Sequence, residues 1–507
     1  MPTNVVALAT TSFAFIGGLA IYRRLTARRD YLPNLDPSIP RIRGADTYLG
    51  MISILEPSQL YRQTKEIIQT HGSPCASHLL GNPVVNVGKP EHVRDVITVL
   101  KEKSPHFKGI FGPLFGFESI LVQSHAKWVP LRRNLGQVFS ISNMKDFFAV
   151  FVDCAQDFVA RIEDHNAKRR KHFEEARANG LRTQPTTLLE PIDVDKYGMD
   201  LALDVVTRAL FSKDLEIQRG NAKELTTKLG WVTEVFFSIS LNPLFWLVHP
   251  FQYMKYLRVR NWYKGLFLGW IKERQANADA ENKDLLGLML KARDPETSNP
   301  LTTEQILSQS FTFYFAGYDT TGHTIAWALY EIAKHPEVEE KIFEELSEAM
   351  GDRETPTYEE GNKLTYLQWV IKETLRMHPP AGIFRRHTSE ECEVAGVRLP
   401  ANCSVTVSIL AVHYDEQVWP EPWRFRPERF SDEESEGRDP CAWIPFAFGG
   451  RNCIGMSFAL TEIRVVLAIL CKKYRLAPSV DLLPHTITRI TQSPVDGIHI
   501  HFLPRGQ

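Results

Sequence analysis

The chain has 507 residues, 43% of them hydrophobic and 23% charged, which supplies a large core and excludes a wholly disordered polypeptide. Lys and Arg total 59 against 60 Asp and Glu, a formal net charge of -1, so global electrostatics gives no ground for nucleic-acid binding. The seven cysteines (Cys75, Cys154, Cys392, Cys403, Cys441, Cys453 and Cys471) are odd in number and form no Cys-x-x-Cys pair, which argues against a disulfide framework and a structural zinc site.

In chain order, the first element is Val5 to Ile21, an uncharged apolar run with Arg23, Arg24, Arg28 and Arg29 directly after it. As a helix it would extend about 26 Å, near the thickness of an endoplasmic reticulum bilayer. The positive-inside rule puts the rest of the chain in the cytosol. Residues 1–30 therefore read as a single-pass endoplasmic reticulum anchor and residues 31–507 as one catalytic domain. A cleaved signal peptide is the competing reading, but it lacks a basic n-region and a clear cleavage site. The Gly17-Gly18 pair also leaves a shallow anchor open. Pro33, Pro37 and Pro40 then make a stiff spacer.

Helical patterns dominate the body. Ile192 to Phe211 is amphipathic. Thr303 to Lys334 holds no proline and stops before Pro336, and Thr302 with Gln305 makes a capping box. A further helix opens at Thr365, again with a glutamine three residues on, and ends before Pro379. Val394 to Leu399 and Ser404 to Ile409 alternate as strands. A last long helix covers about Ile454 to Tyr474. The class is mainly α with a small β portion.

The most informative window runs from Phe446 to Gly455. Cys453 comes just before the last long helix, whose unpaired N–H groups favour a thiolate. Gly449, Gly450 and Gly455 permit a tight turn and close approach of a flat ligand. Arg451 is a permanently charged donor suited to a carboxylate. A thiolate, an open glycine surface and a guanidinium together point to haem iron ligation.

Phe446, Gly449, Arg451, Cys453 and Gly455 fill all five fixed positions of F-x-x-G-x-R-x-C-x-G, and in this the sequence resembles the cytochrome P-450 family. Other motifs come in the family's order. Ala316-Gly317-Tyr318-Asp319-Thr320-Thr321 is similar to its oxygen-activation motif, with Asp319 as proton relay and Thr320 as hydroxyl partner. On this reading Gly317 is a glycine because a missing side chain opens a groove for O2 and substrate. Glu373 and Arg376 match E-x-x-R, which the family joins to Arg429 in a buried structural ionic cluster. Trp128 and Arg132 match W-x-x-x-R; with Arg386, or its neighbour Arg385, the resemblance gives them to the haem propionates.

The resemblance implies a cytochrome P-450 fold, haem b ligated by Cys453 with Phe446 and Arg451 beside it, and insertion of one atom of O2 into a lipophilic molecule such as a terpenoid, polyketide, sterol or fatty acid. Pocket candidates are Phe107 to Leu121, Phe311 to Phe315, Ala381 to Phe384 and the turn around Pro494. Trp231 to Phe251 reads as a pocket roof or a lipid contact. Because the chain lacks a G-x-G-x-x-G fingerprint, electrons must come from outside. The implied donor is NADPH–cytochrome P-450 reductase, with cytochrome b5 as a second candidate. The alternatives are a haem-thiolate isomerase or dehydratase needing no external electrons, and a non-enzymatic haem protein.

Overall fold

The computed structural model describes residues 32, 34–42, 56–79, 82–178, 190–241, 245–276, 284–293, 299–479 and 483–506. The Val5 to Ile21 run lies outside them. Among the described residues no helix is long and apolar enough to cross a membrane. These residues fall into two compact units. One takes the chain up to Ser104, Ile383–Val418 and Asp439–Trp443; the other takes Pro105–Gly382, Trp419–Arg438 and the chain from Ile444.

The first unit holds most of the β structure. Cys75–Leu79 and Asn82–Val87 pair as antiparallel neighbours, Ser404–Ser408 joins in parallel, and Ile383–His387 closes the sheet antiparallel to it. Val85, Val87, Val405 and Val407 are buried on these strands, as β-branched residues on a pleated surface tend to be. The predicted Val394 to Leu399 strand is instead a hairpin of Cys392–Val394 and Val397–Leu399. It turns at Ala395 and Gly396, which both have positive φ (57° and 71°). A two-residue hairpin turn needs that twist, and alternation alone does not reveal it.

The second unit is a helical assembly around Thr303–Lys334. Thr302 caps this helix from both sides: its hydroxyl accepts from the Gln305 N–H at 3.2 Å, while Gln305 Oε1 accepts from the Thr302 N–H at 2.8 Å. The helix is buried almost all round from Ile306 to Ala333, so its polar side chains, Asp319 and His323 among them, need partners inside the protein. Val194–Phe211 crosses it, and Met456–Lys473 and Thr365–Met377 also pack against it.

Two expectations change here. Thr365 does not cap its helix: Leu364 is the N-cap and makes no side-chain cap bond, and the Thr365 hydroxyl donates to the Lys363 carbonyl at 3.2 Å. Gly317 does not open a groove either. A Cβ there would stand 2.5 Å from Val206 Cγ2, and one on Gly322 would stand 2.8 Å from Met199 Cα. These glycines let the Val194–Phe211 helix approach the long helix closely. The exposed position of this stretch is its neighbour Ala316.

Candidate active site

All the motif residues except Arg385 and Arg386 belong to the second unit, and several converge on Cys453. The loop is built by short backbone bonds: the Cys453 N–H donates to the Phe446 carbonyl at 2.9 Å and the Asn452 N–H to Gly449 at 3.1 Å. Ala447 and Gly449 take positive φ, 56° and 74°, which bends the chain tightly enough to present the thiol. Cys453 is exposed, whereas five of the other cysteines are buried and Cys392 is half-buried. A Cβ on Gly450 or on Gly455 would meet no atom within 4 Å, so the loop leaves room for a flat group.

The Met456–Lys473 helix begins three residues after Cys453, so the thiol sits ahead of the first turn rather than on it. Its electrostatics differ from expectation. Although one face of the thiol is open, the surrounding protein pushes its pKa up, against the pull of the Gly455 N–H and of Arg132. The loop alone does not hold a free thiolate, but a metal cation does, because a coordinated thiol is deprotonated outright.

Two guanidiniums flank this loop. Arg132 lies one turn along the His125–Gly136 helix from Trp128. It donates from Nη1 to the Asn452 carbonyl at 3.0 Å and from Nη2 to Asn452 Oδ1 at 2.9 Å. Arg451 donates to the Gln123 carbonyl at 3.2 Å and stands 4.7 Å from the centroid of the Trp128 ring. The structure thus joins Trp128, Arg132, Arg451 and Cys453, and it adds Gln123 and Asn452, which no motif position marks. Phe446 is half-buried and holds the Cys453 N–H through its carbonyl. The donor set fits a haem: one open thiol, a side-chain-free cradle and two cations for carboxylates.

Arg386 lies in the first unit, on the Ile383–His387 strand. It donates to the Arg385 carbonyl at 3.0 Å and stacks 5.0 Å from the Phe384 ring centroid. Arg385 points to the other face of that strand. Its Nε is buried and has no hydrogen-bond partner among the described residues.

On the long helix, Thr320 donates back to the Ala316 carbonyl at 2.8 Å, beside the exposed Ala316. Asp319 is buried. Its Oδ2 accepts from the Thr491 hydroxyl at 2.6 Å, and its Oδ1 stands 4.0 Å from His323 Nε2. Burial raises the Asp319 pKa; His323 and Thr491 oppose the rise. The i,i+4 spacing of Asp319 and His323 is readable in the sequence, whereas nothing in it points to Thr491.

The structural cluster forms as the resemblance implies. Arg376 donates from Nε and Nη2 to the two oxygens of Glu373 at 2.7 and 2.9 Å, and Arg429 Nε donates to Glu373 at 3.2 Å. All three side chains are buried.

Phe107 to Leu121 and Phe311 to Phe315 meet in an aromatic wall. Phe115 lies 5.8 Å from Phe311 and 5.3 Å from Phe315, and Phe111 lies 5.5 Å from Phe236. Beside it is a cavity of about 230 Å³ lined by Gly112, Phe115, Tyr263, Phe267, Ser308 and Phe311. Trp246 and Phe251 instead turn outward, 55% and 89% exposed. Pro494 is buried on a short strand whose Gln492 N–H donates to the Pro380 carbonyl at 2.8 Å.

Comparison with known proteins bears on the same residues. The family model described as Cytochrome P450 matches residues 47–499. The chain is 30% identical over 468 residues to "Cytochrome P450 4V2" of Mus musculus, covering 86% of this chain and 84% of that protein. It is 28% identical over 495 residues to "Cytochrome P450 4c21" of Blattella germanica, covering 93% of each. It is 28% identical over 413 residues to "Cytochrome P450 3A12" of Canis lupus familiaris, covering 78% and 77%. Such enzymes are haem-thiolate monooxygenases, and this chain belongs to the cytochrome P450 family.

Proposed function

We propose that the protein inserts one atom of O2 into a lipophilic small molecule, using haem held through Cys453 and electrons from an NADPH-dependent flavoprotein reductase. The observation that carries this is the single exposed thiol on a glycine-flanked loop between Arg132 and Arg451. Trp128, Arg132 and Arg451 are the residues of this unit that would hold the haem carboxylates. When bound, thiolate-ligated haem supplies the activation of O2.

The chain's own groups do the rest. The aromatic wall of Phe111, Phe115, Phe236, Phe311 and Phe315 favours an apolar substrate and excludes water. Thr320 offers a hydroxyl next to Ala316, and Asp319, one residue before it, is a buried carboxyl that can hold and release a proton. The reading extends to an endoplasmic reticulum membrane partner, supported by the Val5 to Ile21 run and by the outward Trp246–Phe251 surface.

Thr320→Ala is the test. Substrate binding and NADPH consumption are expected to continue, while product per NADPH falls and peroxide rises in proportion. General acid–base groups contribute about 10²–10⁴-fold, and with water as a substitute the loss lies at about the low end. Unchanged coupling would remove Thr320 from the reaction. Product formed without NADPH would move the protein to the isomerase reading.

A further inference from the structure

A buried ionic chain leads away from Asp319, and no motif predicts it. His323, one helical turn on, is buried. Its Nδ1 lies 2.6 Å from Asp195 Oδ1, its Nε2 lies 3.0 Å from the Ser493 hydroxyl, and Asp319 Oδ1 is 4.0 Å from Nε2. Asp195 sits in the first turn of the Val194–Phe211 helix, and its side chain is 16% exposed, so the chain reaches solvent there.

We propose that His323, clamped by Asp195, is a positioning residue for proton delivery: its imidazolium is the fixed positive charge that lets the buried Asp319 carboxyl both release a proton and take one up. The inference rests on the monooxygenase reading above.

An isolated carboxyl in the place of Asp319 would hold its proton more tightly than in water, because burial penalises its charged form. A proton carrier works best when both of its states are accessible near working pH. A cation one turn away brings the ionised state back within reach. Burial also works against that cation, but Asp195 first and then Asp319 outweigh it, and the net effect on His323 is upward. Of the charged groups facing this pair, Asp195 comes from the Val194–Phe211 helix. Arg489 comes from the turn before Gln492–Pro494 and opposes the imidazolium; its Nη2 is drawn off to Glu234 at 3.5 Å on the Lys223–Leu241 helix. Thr491 and Ser493 add neutral hydroxyls. Each nitrogen of the ring therefore has an oxygen partner, and Asp195 supplies the counter-charge nearest to it.

The test uses the full-length holoenzyme. The infrared carboxyl band that Asp319→Asn removes is titrated in wild type, His323→Gln and Asp195→Asn, alongside the pH profile of product per NADPH. In His323→Gln the Asp319 midpoint is expected to move to higher pH, the acid limb of coupling to move with it, and coupling at neutral pH to fall about tenfold. Asp195→Asn removes a carboxylate that also raises the Asp319 midpoint directly, so in the His323→Gln background it is expected to lower that midpoint, whereas with His323 present the loosened imidazolium offsets part of the fall. An Asp319 midpoint that stays put in His323→Gln overturns the proposal, and so does an Asp195→Asn shift of the same size with His323 as without it, because Asp195 would then not act through the imidazole. If the midpoint moves while Asp319→Asn couples like wild type, the proton-delivery role of Asp319 is what fails.

Discussion

A Cβ added to Gly317 would stand 2.5 Å from Cγ2 of Val206 on the crossing helix. Glycine costs about 1 kcal/mol relative to alanine inside a helix, and this contact explains its presence. Gly317→Ala therefore gains helix propensity but overpacks the crossing, which typically costs about 1–3 kcal/mol. We expect a lower melting temperature that Val206→Ala restores in the double variant. A Gly317→Ala protein more stable than wild type would show that the crossing relaxes freely.

Cys453→Ser keeps the shape of the loop, because the backbone bonds to Phe446 and Gly449 do not involve the sulfur. We expect unchanged far-ultraviolet circular dichroism together with loss of the red-shifted Soret band of the reduced, CO-bound form. Retention of that band in the variant would transfer the ligand role to another residue.

Glu373 accepts from both Arg376 and Arg429, and all three are buried. Glu373→Gln leaves two buried guanidiniums facing a neutral amide, and breaking a buried pair in this way costs about 3–5 kcal/mol. The denaturation midpoint should fall steeply, and haem-loaded yield with it. A loss below about 1 kcal/mol would mean that the carbonyls of Pro420, Glu421 and Pro422, which also accept from these arginines, carry the cluster alone.

Glu462 on the Met456–Lys473 helix is fully buried, and neither of its oxygens has a hydrogen-bond partner among the described residues. Burial raises its pKa well above the glutamate range, so the folded state keeps the proton where the unfolded chain gives it up. The folded state then binds more protons, and stability falls as pH rises above the unfolded glutamate value of about 4.3. Glu462→Gln lacks this slope. Its melting temperature should gain on wild type steadily between about pH 4.5 and 7, and a difference that stays flat with pH would place an unseen partner on the carboxylate.

The parts of the site that depend on local spacing are legible in the sequence. The Glu373–Arg376 pair and the Thr302 cap of the long helix act within one turn and form as their spacing implies, and the five motif positions around Cys453 share one loop. The packing role of Gly317 is not legible, because a close helix crossing leaves no periodic mark on either helix. Asn452, Gln123 and Thr491 carry no signal either: their contacts depend on segments far apart in the chain, and each would pass for an ordinary polar loop residue. The rise in the Cys453 pKa is hidden for a similar reason, since helix polarity is local whereas burial depends on everything packed around the loop.

The chain that ties Asp195, His323 and Ser493 also bears on the order of synthesis. The first pair is 128 residues apart and the second 170. A ribosome therefore delivers the long helix, with Asp319 and His323 on it, well before Thr491 and the following strand with Ser493 have emerged. Until then Asp319 lacks the Thr491 hydroxyl and His323 lacks that of Ser493, so the helix meant for the core carries polar groups with part of their partners missing. A nascent chain stopped short of Thr491 would hold those groups open to water and resist burying its own central helix. Such truncated products should be the ones that chaperones retain and proteases clear, even though they already contain the complete haem loop.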